Sequence, residues 1–307
     1  MRQAFIATLV ELAEQDERIV FLTGDLGYLA VEPFASRFPE RFFNAGVAEQ
    51  NMMGLATGLA EGGMIPFVYS IAPFAVLRPF EFFRNGPVQH GWPVRVVGVG
   101  GGFEYGHNGF SHYALEDVAV MRSQPGVTIV APADHKQAAN ALRATVGLSG
   151  PVYFRIGKDN ETTLSDLDGR FELGHAPLLV PGDDLLFVAL GTAVHEAIAA
   201  ADSLAAHGVG AAVALVDNLG DEPPANLQDL LSRYDRVITV EAHYRTGGVG
   251  SLVCELVADE GLDCRVVRCG VARLEPGVSG SEAFMLDRHG LSAAKLEQPA
   301  LRLMQQQ

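Results

Sequence analysis

The sequence predicts an α/β protein made of two doubly wound domains with mainly parallel sheets. Three observations predict it. Short apolar runs of strand length alternate with amphipathic helical stretches, which is how a parallel sheet covered by helices on both faces reads. The alternation stops at residues 158 to 182, a stretch richer in Asp, Gly and Thr that ends in Pro181-Gly182, and then resumes. The length of 307 residues suits two domains of roughly 150 residues each, and 48% apolar residues can supply two cores. The domains are placed at 1–160 and 183–307, with 161–182 as the linker.

The elements follow in order. The start, MRQAFIATLVELAEQDERIV, spaces Phe5, Leu9 and Leu12 as a helix does and lacks the cationic end and apolar block of a secretory leader. RIVFLTG (18–24) is the first strand and leads into Gly24-Asp25. NAGVAEQNMMGLATGLAEGG (44–63) reads as a helix that is small or apolar all round, hence buried, with Glu49 near its start. IPFVY (65–69), PVRVVGVG (93–100), VTIVAP (127–132) and PVYFRIG (151–157) are further strands, with ALEDVAVMRS (114–123) a helix among them. The second domain alternates DLLFVALG, a helix in TAVHEAIAAADSLAAHG, AAVALVDN, a helix in ANLQDLLSRYD, RVITVEAH, a helix in GSLVCELVADEG, and CRVVRCG. The tail LMQQQ is expected to fray.

Bulk properties remove several function classes. A net charge of -15 and a pI near 4.9 disfavour nucleic acid and anionic membranes, which reward a basic surface. No apolar run reaches membrane-span length. Cys254, Cys264 and Cys269 make no metal-ligand spacing and suit a reducing compartment, so a cytoplasmic protein with structural thiols is expected.

In parallel sheets ligands collect at the carboxyl ends of strands, and the informative residues follow strands here. No Lys or Arg lies between Arg41 and Arg78, so Glu49 reads as an unpaired acid at the mouth of a buried helix. It is either a first-turn acid favoured by the helix dipole or a group that burial equips for acid-base work. The loop VGVGGGFEYGHNGFSHYALED (97–117) interleaves glycines with His107 and His112; it is not a dinucleotide fingerprint. Either it simply turns, or it walls a pocket in which a neutral imidazole donates to a substrate oxygen. No Cys or acidic cluster completes a ligand set with the two histidines, so no metal site is expected. Arg155, at the end of an apolar strand, suits either phosphate or a structural ion pair, and Asp25 either a ligand or a turn.

The order of these segments carries a resemblance. RFFNAGVAEQNMMGLATGLAEGG resembles the segment of the transketolase family, including 1-deoxyxylulose-5-phosphate synthases, that holds the glutamate activating thiamine diphosphate. Arg2, Asp25 of LTGDLG, GFSHYALEDVAVMRSQPGVTIVAPAD, Arg155 and VEAHYRTGGVGSLVCELV extend it over roughly residues 1 to 275. The chain is thus similar to the carboxyl-terminal half of a transketolase, a pyrimidine-binding domain followed by a C-terminal domain. The resemblance implies that Glu49 hydrogen-bonds a ring nitrogen of the cofactor's aminopyrimidine and starts the proton relay, a role suited to an acid with no cationic neighbour. It gives His112 a substrate or intermediate oxygen to contact. Asp25 becomes a cofactor contact, and Phe74 of YSIAPF, or Tyr69, the ring that stacks on the pyrimidine. Arg2, Asn108 and Arg155 become substrate contacts.

Departures from the family pattern are equally informative. The Gly-Asp-Gly motif and Asn that hold magnesium and the diphosphate are missing, since Gly24-Asp25-Leu26 stands in another context. The resemblance therefore implies a separate subunit that carries the diphosphate-binding domain and most of the Mg2+ contacts, with two copies of each chain in a heterotetramer. Asn108 stands where transketolases have an acidic residue, while Gly100 and Leu29 stand near a family histidine and a phosphate-contacting serine. Arg2 and Arg155 are retained, which implies a non-standard sugar or sugar phosphate.

The expected activity is transfer of a two-carbon ketol unit from a ketose to an aldose. The competing readings are a beta subunit of a 2-oxo acid dehydrogenase and a silent scaffold half. His112 and Arg155 weigh against the first, and a retained buried Glu49 against the second. In the second domain, GGVGS (247–251) reads as a tight strand-to-helix turn and His243 as a satisfied surface or interface histidine.

Overall fold

A computed structural model describes residues 1–159 and 162–305. The first unit runs α1 (Arg2–Gln15), β1 (Ile19–Thr23), α2 (Glu32–Arg37), β2 (Phe42–Asn44), α3 (Glu49–Glu61), β3 (Ile65–Ile71), α4 (Ala72–Val76), α5 (Phe80–Phe83), β4 (Arg95–Val99), α6 (Asp117–Arg122), β5 (Thr128–Val130), α7 (His135–Thr145) and β6 (Val152–Ile156). The second runs β7 (Leu178–Val180), β8 (Leu185–Leu190), α8 (Val194–Ala205), β9 (Ala211–Val216), β10 (Asn218–Leu219), α9 (Leu227–Leu231), β11 (Arg236–Tyr244), α10 (Val249–Asp259), β12 (Arg265–Val271), α11 (Glu282–Arg288) and α12 (Ala293–Met304).

The first sheet has the order β10-β5-β6-β4-β3-β1-β2 and is parallel except at β10, which pairs antiparallel with β5. The second has the order β12-β11-β8-β9-β7, parallel except at β7. Its central strands β8 and β9 are buried along their whole length, as strands covered on both faces must be. α7 begins on Asp134, whose carboxylate accepts from Gln137 N at 2.8 Å, while Gln137 Oε1 accepts from Ala133 N at 2.7 Å. This reciprocal cap starts the helix sharply after β5.

Two departures from expectation bear on how the units join. The stretch 161–182 is more than a linker. Leu164 N donates to Asp134 Oδ2, Leu167 is fully buried, Gln137 Nε2 reaches Arg170 O, and the segment ends in β7. The expected boundary at 160 and 161 lies outside the described residues. β10, in turn, belongs by sequence to the second unit and completes the first sheet. One apolar cluster runs from Met52 and Met53 of α3 through Met121 and Leu219 to Leu227 and Val253, so both units share a core. At the C-terminus, Leu303 is buried in α12 rather than frayed; Gln306 and Gln307 lie outside the described residues.

Candidate active site

The topology places the site. β2, β1, β3 and β4 are neighbours in one sheet, and their carboxyl ends feed α3, the Asp25 loop, α4 and the glycine-rich loop respectively. Glu49, Phe74 and His112 are thereby delivered to one edge of the sheet, where loops and helix N-termini meet.

Glu49 opens α3 and is 4% exposed. It is not unpaired: Arg78 Nη1 donates to Glu49 Oε1 at 2.6 Å. Arg78 also lies over the Phe74 ring, its Cζ 3.8 Å from the centroid. The expectation of a cation-free carboxylate is therefore corrected. The cation comes from the far end of the cation-free stretch, distant along the chain, and β3 and α4 fold it back onto α3. The spacing of Phe74 and Arg78, one helical turn apart, was the available signal for it.

Phe74 is half-buried and meets the His112 ring edge-on at 5.1 Å. Burial, and then the Arg78 charge, push His112 below the ordinary histidine range, which favours the neutral imidazole as hydrogen-bond partner. Ser111 Oγ lies 3.0 Å from its Nδ1. Tyr105, which the sequence did not single out, continues the row 6.1 Å beyond His112, with Lys158 Nζ 4.2 Å from its ring centroid. A Cβ on Gly100 would fall 2.2 Å from the Tyr105 ring, so Tyr105 fills the space a side chain at position 100 would need. Arg2, half-buried, stands close enough for its charge to act on Tyr105 and Tyr69. Asn108 is exposed on the turn that precedes His112.

Three expected residues stand apart from this row. Tyr69 is 2% exposed and packs on Phe21, with burial raising its hydroxyl to about 12, so it offers no ring face and Phe74 is the available one. Asp25 is exposed in a left-handed turn (φ 60°), bound to Asn44 Nδ2 at 3.0 Å and Tyr28 Oη at 3.2 Å. Arg155 is 5% exposed and donates through Nε to Asp117 Oδ2 at 2.7 Å and through Nη2 to Ala114 O and Ala242 O. Its Nε and Nη2 are spent on Asp117 and on carbonyls from both units, which is the geometry of a structural group joining them.

The second unit's expected features are also structural. His243 is fully buried and accepts from Ala119 N at the junction, an interface histidine rather than a surface one. The turn at 247–251 is tight because Glu241, to which no sequence pattern points, accepts from Val249 N and Gly250 N at the start of α10. Cys254, Cys264 and Cys269 are free thiols. Among the described residues no group of three or more His, Cys, Asp or Glu side chains is placed to hold a metal ion.

Comparison with known proteins places the chain. Residues 1–162 match the domain described as "Transketolase, pyrimidine binding domain" and residues 174–296 the one described as "Transketolase, C-terminal domain". A putative transketolase C-terminal section of Methanocaldococcus jannaschii is 36% identical over 100% of this chain and 96% of its own length. An apulose-4-phosphate transketolase subunit of Phocaeicola vulgatus is 34% identical, covering 96% of each chain. Among solved structures, a split-gene transketolase described as an inactive beta4 tetramer superimposes with a TM-score of 0.84 at 34% identity, over 98% of this chain and 96% of that one.

Proposed function

The chain belongs to the transketolase family, and on that premise we propose that it is one half of a split transketolase, active when a second chain supplies the diphosphate-binding domain. The observation that carries this is the grouping of Glu49, Phe74 and His112 at the carboxyl ends of β2, β3 and β4. The residues fit the pyrimidine end of thiamine diphosphate: the planar Arg78 guanidinium, stacked on Phe74 and bonded to Glu49, is a stand-in of the right shape and polarity. When bound, the cofactor supplies the electron sink for breaking a ketose carbon–carbon bond.

The chain's own residues orient and move protons. Glu49, 4% exposed at the start of α3, would share a proton between its carboxyl oxygen and a ring nitrogen. Phe74 offers the stacking face. His112, neutral and beside Phe74, donates to a substrate oxygen that gains charge. Asn108 offers a neutral amide at the rim, and Asp25 contacts the cofactor from the neighbouring loop. With Arg155 withdrawn, Arg2 is the remaining carried-over contact for an anionic end of the sugar. A non-standard sugar or sugar phosphate is the proposed substrate, and the relative named for apulose-4-phosphate supports that class. Magnesium is assigned mainly to the partner.

Two copies of each chain form the proposed assembly, in the cytoplasm. The apolar side chains Val47, Leu55, Leu77 and Phe82, 72%, 47%, 39% and 45% exposed around α3 and α5, support a contact surface there. Calorimetric titration of thiamine diphosphate with Mg2+ into this chain, alone and with the partner, tests the reading. Binding in the mixture only is expected. Tight binding to the isolated chain would mean that the diphosphate site is misplaced, and no binding in either would favour a scaffold.

A further inference from the structure

Resting on the cofactor reading above, we propose that Arg78 occupies the seat of the aminopyrimidine ring and must leave it before that ring can bind. A guanidinium is flat, carries its donors at its rim and stacks on aromatic faces. Arg78 uses both properties at once, 3.8 Å over Phe74 and 2.6 Å from Glu49 Oε1. A pyrimidine that stacks on Phe74 and hydrogen-bonds Glu49 makes the same two contacts. Arg78 covers the Phe74 face on the side where it also bonds Glu49 Oε1, so a ring that makes both contacts needs the place the guanidinium holds. Ring and guanidinium therefore compete.

The two ends of the contact differ in a way that suits a displaceable plug. Glu49 is fixed at 4% exposure, whereas the Arg78 side chain is 43% exposed and follows the end of α4. The long arginine stem can rotate outward while the carboxylate stays in place. Seated, Arg78 spares a buried carboxylate from lacking a partner and spares Phe74 an open face. Weakly stacking ligands that cannot outcompete it are kept out. Arg78 is thus a positioning residue, acting through Glu49 and Phe74.

The test is binding of thiamine diphosphate with Mg2+ to the assembled complex, by calorimetry for affinity and stopped-flow fluorescence for association. Arg78→Ala should bind about tenfold tighter and faster, the scale of one half-exposed ion pair plus one cation–π contact. Arg78→Lys, which keeps charge but not the plane, should fall between. The diphosphate of the hydroxyethyl-methylthiazole moiety alone, which lacks the pyrimidine, should bind all three proteins equally. Unchanged or weaker cofactor binding by Arg78→Ala overturns the proposal, as does an equal gain for the thiazole diphosphate, which would mean general loosening. If the wild-type complex binds no cofactor, the cofactor reading itself fails and Arg78's role falls with it; wild-type binding without the gain sinks Arg78's role alone.

Discussion

Among single residues, Glu49 and Arg155 have opposite fates although both are nearly buried and ion-paired. Glu49 faces a cation that is half in solvent, and Arg155 faces Asp117, 1% exposed. Replacing Glu49 by Ala is expected to lower kcat by roughly 10²- to 10⁴-fold, the usual share of a positioned proton donor, with melting temperature and assembly near wild type. Steady-state kinetics beside calorimetric melting checks both halves, and near-normal turnover would remove the proton role. Arg155→Ala should instead cost about 3–5 kcal/mol of stability, because it takes the cation from the buried Asp117 carboxylate and leaves it the Tyr153 hydroxyl, at 2.7 Å, in its place. Urea unfolding measures that loss. A raised KM with unchanged stability would restore Arg155 as a substrate contact.

Elements show what spacing can and cannot reveal. The wholly apolar strands of both sheets were legible because burial on both faces leaves nothing to alternate. β2, β7 and β10 are only two or three residues long, and runs that short carry no period to detect. α11 and α12 follow the last expected strand and went unassigned, although α12 packs its Leu296, Ala300 and Leu303 inward at helical spacing. The turn into α10 depends on Gly248, where a Cβ would sit 1.8 Å from Glu241 Oε2. Gly248→Ala should therefore push Glu241 off the helix N-terminus and destabilise by about 2–3 kcal/mol, the scale of charged hydrogen bonds lost in a buried place. A melting temperature equal to wild type would show that Glu241 is not needed there.

For the whole molecule, the junction between the two units sets the response to pH. Asp217, fully buried, accepts from Gln137 Nε2 and, at 2.6 Å, from Asn218 Nδ2, and its backbone carbonyl accepts from Ala131 N. Burial pushes its carboxyl up to about 7, and that of Glu241 likewise to about 7. The folded state thus keeps protons that the unfolded chain releases near its ordinary values of 3.8 and 4.5. Their stabilising contribution is complete below about pH 4, declines as pH rises and is lost above about pH 7. Asp217→Asn, which cannot ionise, should gain stability relative to wild type between about pH 5 and 8. A difference that does not vary with pH over that range, in parallel urea titrations, would contradict the assignment.

The sequence by itself determined the α/β class, the strands long enough to show their burial, and Glu49 and His112 as candidates, because each is written in residue type and local spacing; Phe74 came only with the resemblance to the transketolase family. Tertiary structure alone decided who faces whom. It brought Arg78 to Glu49, Asp117 to Arg155 and β10 to a sheet in the other unit, contacts between residues 29, 38 and 88 positions apart or more in the chain. Such partners leave no local period, since the free energy that selects them comes from pairing the charges the fold buries and from closing sheet edges across the whole fold.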